Sequence, residues 1–120
     1  MKTVVVGATV NPERYAFKAA TKLVKHQQEI ELIGIKKGKI EGISIKNLRE
    51  KPDLGEIDTI TLYIGPNNQE EWIDYLIGLK PRRIIFNPGT ENQNFVKRAI
   101  AKGIFCEEAC TLVLLQTNQY

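Results

Sequence analysis

An α/β protein, with helices on both faces of a mainly parallel sheet of about five strands, is what this chain predicts, and three observations carry the expectation. Short apolar, largely β-branched runs recur at 3–6, 30–35, 59–64 and 83–86. Amphipathic stretches of helical spacing separate several of them, and each run gives way to a loop holding glycine or proline. Continuous apolar runs suit strands covered on both faces, as parallel strands are. Alternation of strand and helix then implies right-handed crossovers.

The first strand, 3–6, is followed by a helical pattern over 15–25. Asn11 is placed to cap that helix, Pro12 suits a first helical position whose N–H has no partner, and Glu13 falls in the first turn. Ala16, Phe17, Ala20, Leu23 and Val24 make its buried stripe. The second strand spans 30–35, with Glu29 and Glu31 marking a less covered side. Residues 36–39 are a lysine-rich loop, 41–45 a turn and very short strand, and 47–50 one helical turn ahead of Pro52. The third parallel strand, 59–64, stops at Gly65-Pro66. Asn67 and Asn68 offer caps to a helix with Glu70 and Glu71 in its first turn and Trp72, Ile73, Leu76 and Ile77 inward. A fourth strand at 83–86 leads through the loop 87–89 to a helix over 92–101, with Phe95, Val96, Ala99 and Ile100 inward. Gly103 ends that helix, and a last strand at 104–107 and a helical turn at 110–116 close the chain. The whole reads as one Rossmann-like, three-layer α/β/α domain over residues 1–120.

Size and composition narrow the function. A 120-residue chain can bury roughly two-thirds of its unfolded surface, enough for one domain without staples. Its 42% hydrophobic and 26% charged residues are those of a soluble protein, and no run approaches the ~20 apolar residues of a membrane span. The start runs from Met1-Lys2-Thr3 directly into a strand, so a cytoplasmic location is expected. A net charge of +3 with dispersed lysines does not make a nucleic-acid face but suits a small polyanion. Cys106 and Cys110 have neither redox nor zinc spacing, and both read as reduced thiols. His26 falls at the end of the first helix, where the macrodipole favours it, and no catalytic constellation emerges.

The ligand crevice of such a sheet lies beyond the carboxyl ends of the strands, where strand order reverses. The loops expected there are 7–14, 35–39, 63–68 and 87–92. The first resembles a phosphate-binding turn, in which backbone N–H groups at a helix start face an anion. Registered on Gly7, however, the second and third glycines of the dinucleotide fingerprint are Thr9 and Pro12, a poor fit to the usual NAD pose. Thr9 Oγ1 and the amides of Thr9, Val10 and Asn11 remain candidates for phosphate oxygens, with Arg14 as a bidentate fork. After the second strand, where an NAD enzyme holds an acid for the ribose hydroxyls, this chain has Lys36, Lys37 and Lys39. Cations there favour a phosphorylated ribose, either the 2′-phosphate of NADP or the 3′-phosphate of coenzyme A.

The residues Val6-Gly7-Ala8-Thr9, Asn11 through Tyr15, the Gly42 stretch leading to Leu48, Ile57 through Ile60 ahead of Tyr63, Phe86 through Asn92, and Gly103-Ile104 before Cys110 together resemble the stand-alone coenzyme-A-binding domain proteins. Those are similar to the CoA-binding domain of the succinyl-CoA synthetase α subunit. The resemblance covers nearly the whole chain. It implies a CoA- or acyl-CoA-binding protein without catalysis, since the larger enzymes carry their phosphorylated histidine on other domains. By resemblance, Gly7, Ala8, Thr9, Val10, Asn11 and Arg14 hold the pyrophosphate, with Tyr15 beside them. Ile35, Lys36 and Lys37 meet the 3′-phosphate region, and Tyr63, Ile64, Pro66, Asn87, Pro88 and Gly89 border adenine and pantetheine. The chain departs from many relatives in having Lys36-Lys37 in place of Asn-Pro, Asn87 in place of Gln, and Gln27 in place of a helix-ending glycine. Two alternatives stand beside this reading: an NADP-binding oxidoreductase-like protein, and an interaction module presenting Trp72 with Tyr75 to a protein partner.

Overall fold

The computed structural model describes residues 2–120, and its sheet is built as the apolar runs require. Strands β1 (Lys2–Val6), β2 (Glu29–Gly34), β3 (Lys39–Ile40), β4 (Ile43–Asn47), β5 (Thr59–Leu62), β6 (Arg83–Phe86) and β7 (Phe105–Glu108) form one sheet in the order β3-β4-β2-β1-β5-β6-β7. All neighbours are parallel except β3 and β4. This is a Rossmann-like α/β fold with seven strands, two more than expected. The extra pairing is a hairpin: Glu41 and Gly42 both have positive φ (52° and 77°), as a two-residue hairpin turn matched to strand twist requires. It sets Ile40 opposite Ile43 and converts a presumed loop into an edge.

Helices α1 (Tyr15–Lys25) and α4 (Thr111–Gln116) cover one face, while α2 (Ile73–Gly78), α3 (Gln93–Ala101) and the segment 48–57 cover the other. Period-two alternation divides β1 between them. Val5 joins Ala16, Ala20 and Leu23 under α1, whereas Val4 and Val6 join Ile60, Leu76, Phe86 and Phe95. The Phe86 and Phe95 rings meet edge to face at 5.1 Å. Among the described residues, no helix is long and apolar enough to cross a membrane.

Three local expectations are corrected, and one alternative is decided. Asn11 does not cap α1: its Oδ1 accepts from Glu13 N at 3.0 Å and its carbonyl from Arg14 N at 3.1 Å, closing a turn, so α1 starts after Arg14. The helix after β5 is broken into two 3-10 turns, Pro66–Asn68 and Glu70–Trp72, before the six-residue α2, with no side-chain cap at either start. Ile100 points outward and is 58% exposed. Trp72 is buried in the core and Tyr75 Oη donates to Pro52 O at 2.6 Å, so this pair is packing rather than a free docking face. Elsewhere the reading holds: Gly103 follows α3 with φ 80°, and Gln27 takes the left-handed position after α1 with φ 61°, while Asn92, expected as the first helical residue, caps α3 by accepting from Phe95 N at Oδ1. The last strand runs one residue later than expected.

Candidate functional site

Strand order reverses between β1 and β5: from β1 the chain moves to β2 and β4 on one side, then returns to β5 and β6 on the other. The loops leaving β1 and β5 therefore part and open a cleft. Two glycines let the backbones around it close. Gly7 has φ 94°, and a Cβ there would stand 3.0 Å from Tyr63 O; a Cβ on Gly34 would stand 2.6 Å from Ala8 O. In the space so gained, Gly7 N and Ala8 N both donate to Ile33 O, at 2.9 and 3.0 Å.

Those bonds decide which amides of the loop stay available. Asn11 N turns back to Thr9 Oγ1 at 3.3 Å, and Glu13 N and Arg14 N are held by Asn11. Among the described residues, Thr9 N and Val10 N donate to no protein acceptor, and the first amides of α1 have no partner within the helix. The chain thus presents unsatisfied N–H groups and the positive end of a helix to one space.

That space is a cavity of about 1060 Å³, at the top of the range usual for small-molecule sites. Of the expected site residues, Gly7, Ala8, Thr9, Asn11, Arg14 and Tyr15 line it from β1 and α1, Ile35 and Lys36 from the end of β2, Tyr63 and Ile64 from β5, and Pro88 and Gly89 from β6. Four expected residues do not line it. Val10 leans instead on Gly38, where any Cβ would collide with its Cγ1, so it packs the lysine loop against the loop after β1. Lys37 and Pro66 are exposed outside the lining. Asn87 is buried and occupied: Nδ2 donates to Thr61 Oγ1 (2.7 Å) and Leu62 O (3.0 Å), while Oδ1 accepts from Thr111 N at 2.9 Å. It ties β5 and β6 to α4 and faces away from the ligand space. Lys39 belongs to β3.

Several lining residues escaped sequence reasoning. Arg49 stands in the 3-10 turn Leu48–Glu50 after β4, where Asn47 Oδ1 accepts its N–H at 3.0 Å. The signal available was that predicted helical turn, whose place beside the cleft depended on β4 lying next to β2. Asn68 and Glu71 reach the cavity because the broken helix after β5 turns them upward. Gln69 is buried between the loops and holds them together, its Nε2 donating to Ile64 O and Thr90 O, both at 2.8 Å, and its Oε1 accepting from Asn92 Nδ2 at 2.9 Å.

The cavity's character is therefore mixed. Arg14, Lys36 and Arg49 supply cations, Glu13 and Glu71 carboxylates, and Tyr15 an open ring with Lys18 Nζ 5.3 Å from its centroid. Tyr63 Oη is buried without a hydrogen-bond partner of good geometry, although the Thr61 and Thr111 hydroxyls, which bond each other at 2.7 Å, lie near it. Desolvation pushes its pKa up to about 12. Cys106, also raised by burial, faces the core below β7. Among the described residues no cluster of three His, Cys, Asp or Glu could hold a metal ion.

Comparison with known proteins agrees with this fold. An uncharacterized protein of known crystal structure shares 43% sequence identity and superposes with a TM-score of 0.95 over 99% of this chain and 97% of that one. A Thermus thermophilus protein (16% identity, TM-score 0.83, 99% and 90% covered) and a hypothetical protein from Pyrococcus horikoshii OT3 (20%, 0.83, 96% and 81%) share the fold. No protein with a curated description matches the chain. The family model described as CoA binding domain matches residues 1–116, and with that match over nearly its whole length the chain belongs to the CoA-binding domain family.

Proposed function

We propose that this protein binds coenzyme A or an acyl-CoA in the cleft above β1 and β5, as a cytoplasmic carrier or sensor with no chemistry of its own. One observation carries the reading: three cations, Arg14, Lys36 and Arg49, line a cavity that is also lined by Thr9, whose N–H donates to no acceptor among the described residues. CoA offers a matching set of anions, a diphosphate and a 3′-phosphate. The diphosphate sits on the loop amides and the start of α1, with Arg14 as its fork. The 3′-phosphate meets Lys36 and Arg49 at the ends of β2 and β4. Membership of the CoA-binding domain family supports the ligand class.

The absence of a catalytic role is part of the proposal. The titratable groups lining the cavity are Glu13, Arg14, Tyr15, Lys36, Arg49, Tyr63 and Glu71, and burial moves the Tyr63 pKa still further above neutrality. None pairs a nucleophile with a base in the way covalent catalysis needs. Calorimetry with CoA, dephospho-CoA and NADP tests the reading. A charge-assisted hydrogen bond contributes about 1.5–3 kcal/mol, so CoA should bind about 10- to 150-fold more tightly than dephospho-CoA, and Arg49→Ala should remove much of that preference. Equal affinity for the two CoA forms, or tighter binding of NADP, would overturn it.

A further inference from the structure

We infer that the cavity takes CoA whose acyl group is uncharged or absent, and that Glu71 is the residue that discriminates against thioesters ending in a carboxylate. This rests on the CoA reading above. Along the sheet, Lys36 follows β2, Arg49 follows the adjacent β4, Glu13, Arg14 and the Thr9 amide follow β1, and Glu71 with Asn68 follows β5, so Glu71 is the one charged lining residue on the β5 and β6 side. Pro88 and Gly89 come next, after β6.

CoA has its charge at one end. Its phosphates all belong to the nucleotide half, and the pantetheine arm is two neutral amides ending in a thiol. Once the 3′-phosphate lies with Lys36 and Arg49 and the diphosphate on the β1 loop, the arm runs toward β5 and β6, since neighbouring strands stand ~4.8 Å apart and the cations fill the other side. No lysine or arginine after β5 or β6 lines that part of the cavity. The neighbouring carboxylate, Glu70, is paired with Arg98 at 3.4 Å, whereas Glu71 has no ion-pair partner among the described residues. Glu71 stands on the side the arm takes, and a terminal carboxylate on the acyl chain brings a like charge to it with no cation between.

Calorimetry with butyryl-CoA and succinyl-CoA isolates this term, because both acyl chains have four carbons and only one ends in an anion. The intact protein should bind succinyl-CoA about fivefold more weakly, the factor a like charge ~4 Å away imposes in a water-like medium, and the gap should narrow in high salt. Glu71→Gln should bring the two ligands to similar affinity. Equal binding by the intact protein, or a gap that survives in Glu71→Gln, overturns the assignment. If free CoA still binds in that case, the failure is confined to Glu71; if it does not, the CoA reading falls as well.

Discussion

Gly34→Ala is the most direct test of how the cleft is assembled. The added methyl would stand 2.6 Å from Ala8 O and 3.3 Å from Ala8 N, both backbone atoms. Neither can swing aside, because Gly7 N and Ala8 N are bonded to the carbonyl of Ile33, the residue just before. Gly34 needs no left-handed conformation, so the penalty is steric, and overfilling a packed site costs about 1–3 kcal/mol. With an unfolding entropy of about 2.1 cal/mol/K per residue, the chain's 120 residues give roughly 0.25 kcal/mol/K. The thermal midpoint should therefore fall by about 4–12 °C. Gly78→Ala is the matched control. Nothing lies within 4 Å of its added methyl at the end of α2, so the restricted unfolded chain should stabilise the fold by about 0.4–1 kcal/mol and raise the midpoint by about 2–4 °C. Differential scanning calorimetry reads both variants, and titration with CoA below the lower midpoint reads the loop. If Gly34→Ala keeps both its midpoint and its CoA affinity, the claim that β2 and the phosphate loop are locked in contact is wrong.

Asn87→Leu, close in volume, removes three hydrogen bonds and leaves Thr111 N and Leu62 O buried without that partner. A loss of about 2–4 kcal/mol in urea unfolding is expected, with faster hydrogen exchange at the start of α4. Tyr63→Phe deletes a hydroxyl that has no partner, so stability should stay level or rise by up to about 1 kcal/mol, and a clear loss would reveal a hydrogen bond to that group. At the opposite end of β5, hydrogen bonds from Arg82 hold the Asp58 carboxyl below its ordinary value of 3.8. A depressed folded pKa contributes stability above about pH 4 that disappears as pH falls through the folded value. Arg82 is 59% exposed, so Arg82→Met should lower stability by no more than about 1 kcal/mol at neutral pH. That difference should vanish in strong acid, and denaturant midpoints showing it grow there would refute the pairing.

The alternation of β-branched runs with amphipathic stretches was sufficient to read the α/β class, four of the parallel strands and α3, because periodicity is a local property. The loop after β1 was legible for the same reason: Gly7 and the polar residues after it announce a strand-to-helix turn. Membership of the CoA-binding domain family also followed from residue patterns spread along the chain, and the match over 1–116 agrees with it. What local pattern could not show was which side chains meet. Lys37 and Lys36 are adjacent and equally cationic, yet only Lys36 lines the cavity, while Arg49 joins it from a turn whose strand had first to pair with β2. Asn87 looked like a loop residue available to a ligand, but Thr61 and Thr111, distant in sequence, take its hydrogen bonds in the buried layer beneath α4. Strand order and burial assign such groups, and both arise from contacts between segments far apart in the chain, so they exist only once the sheet has closed.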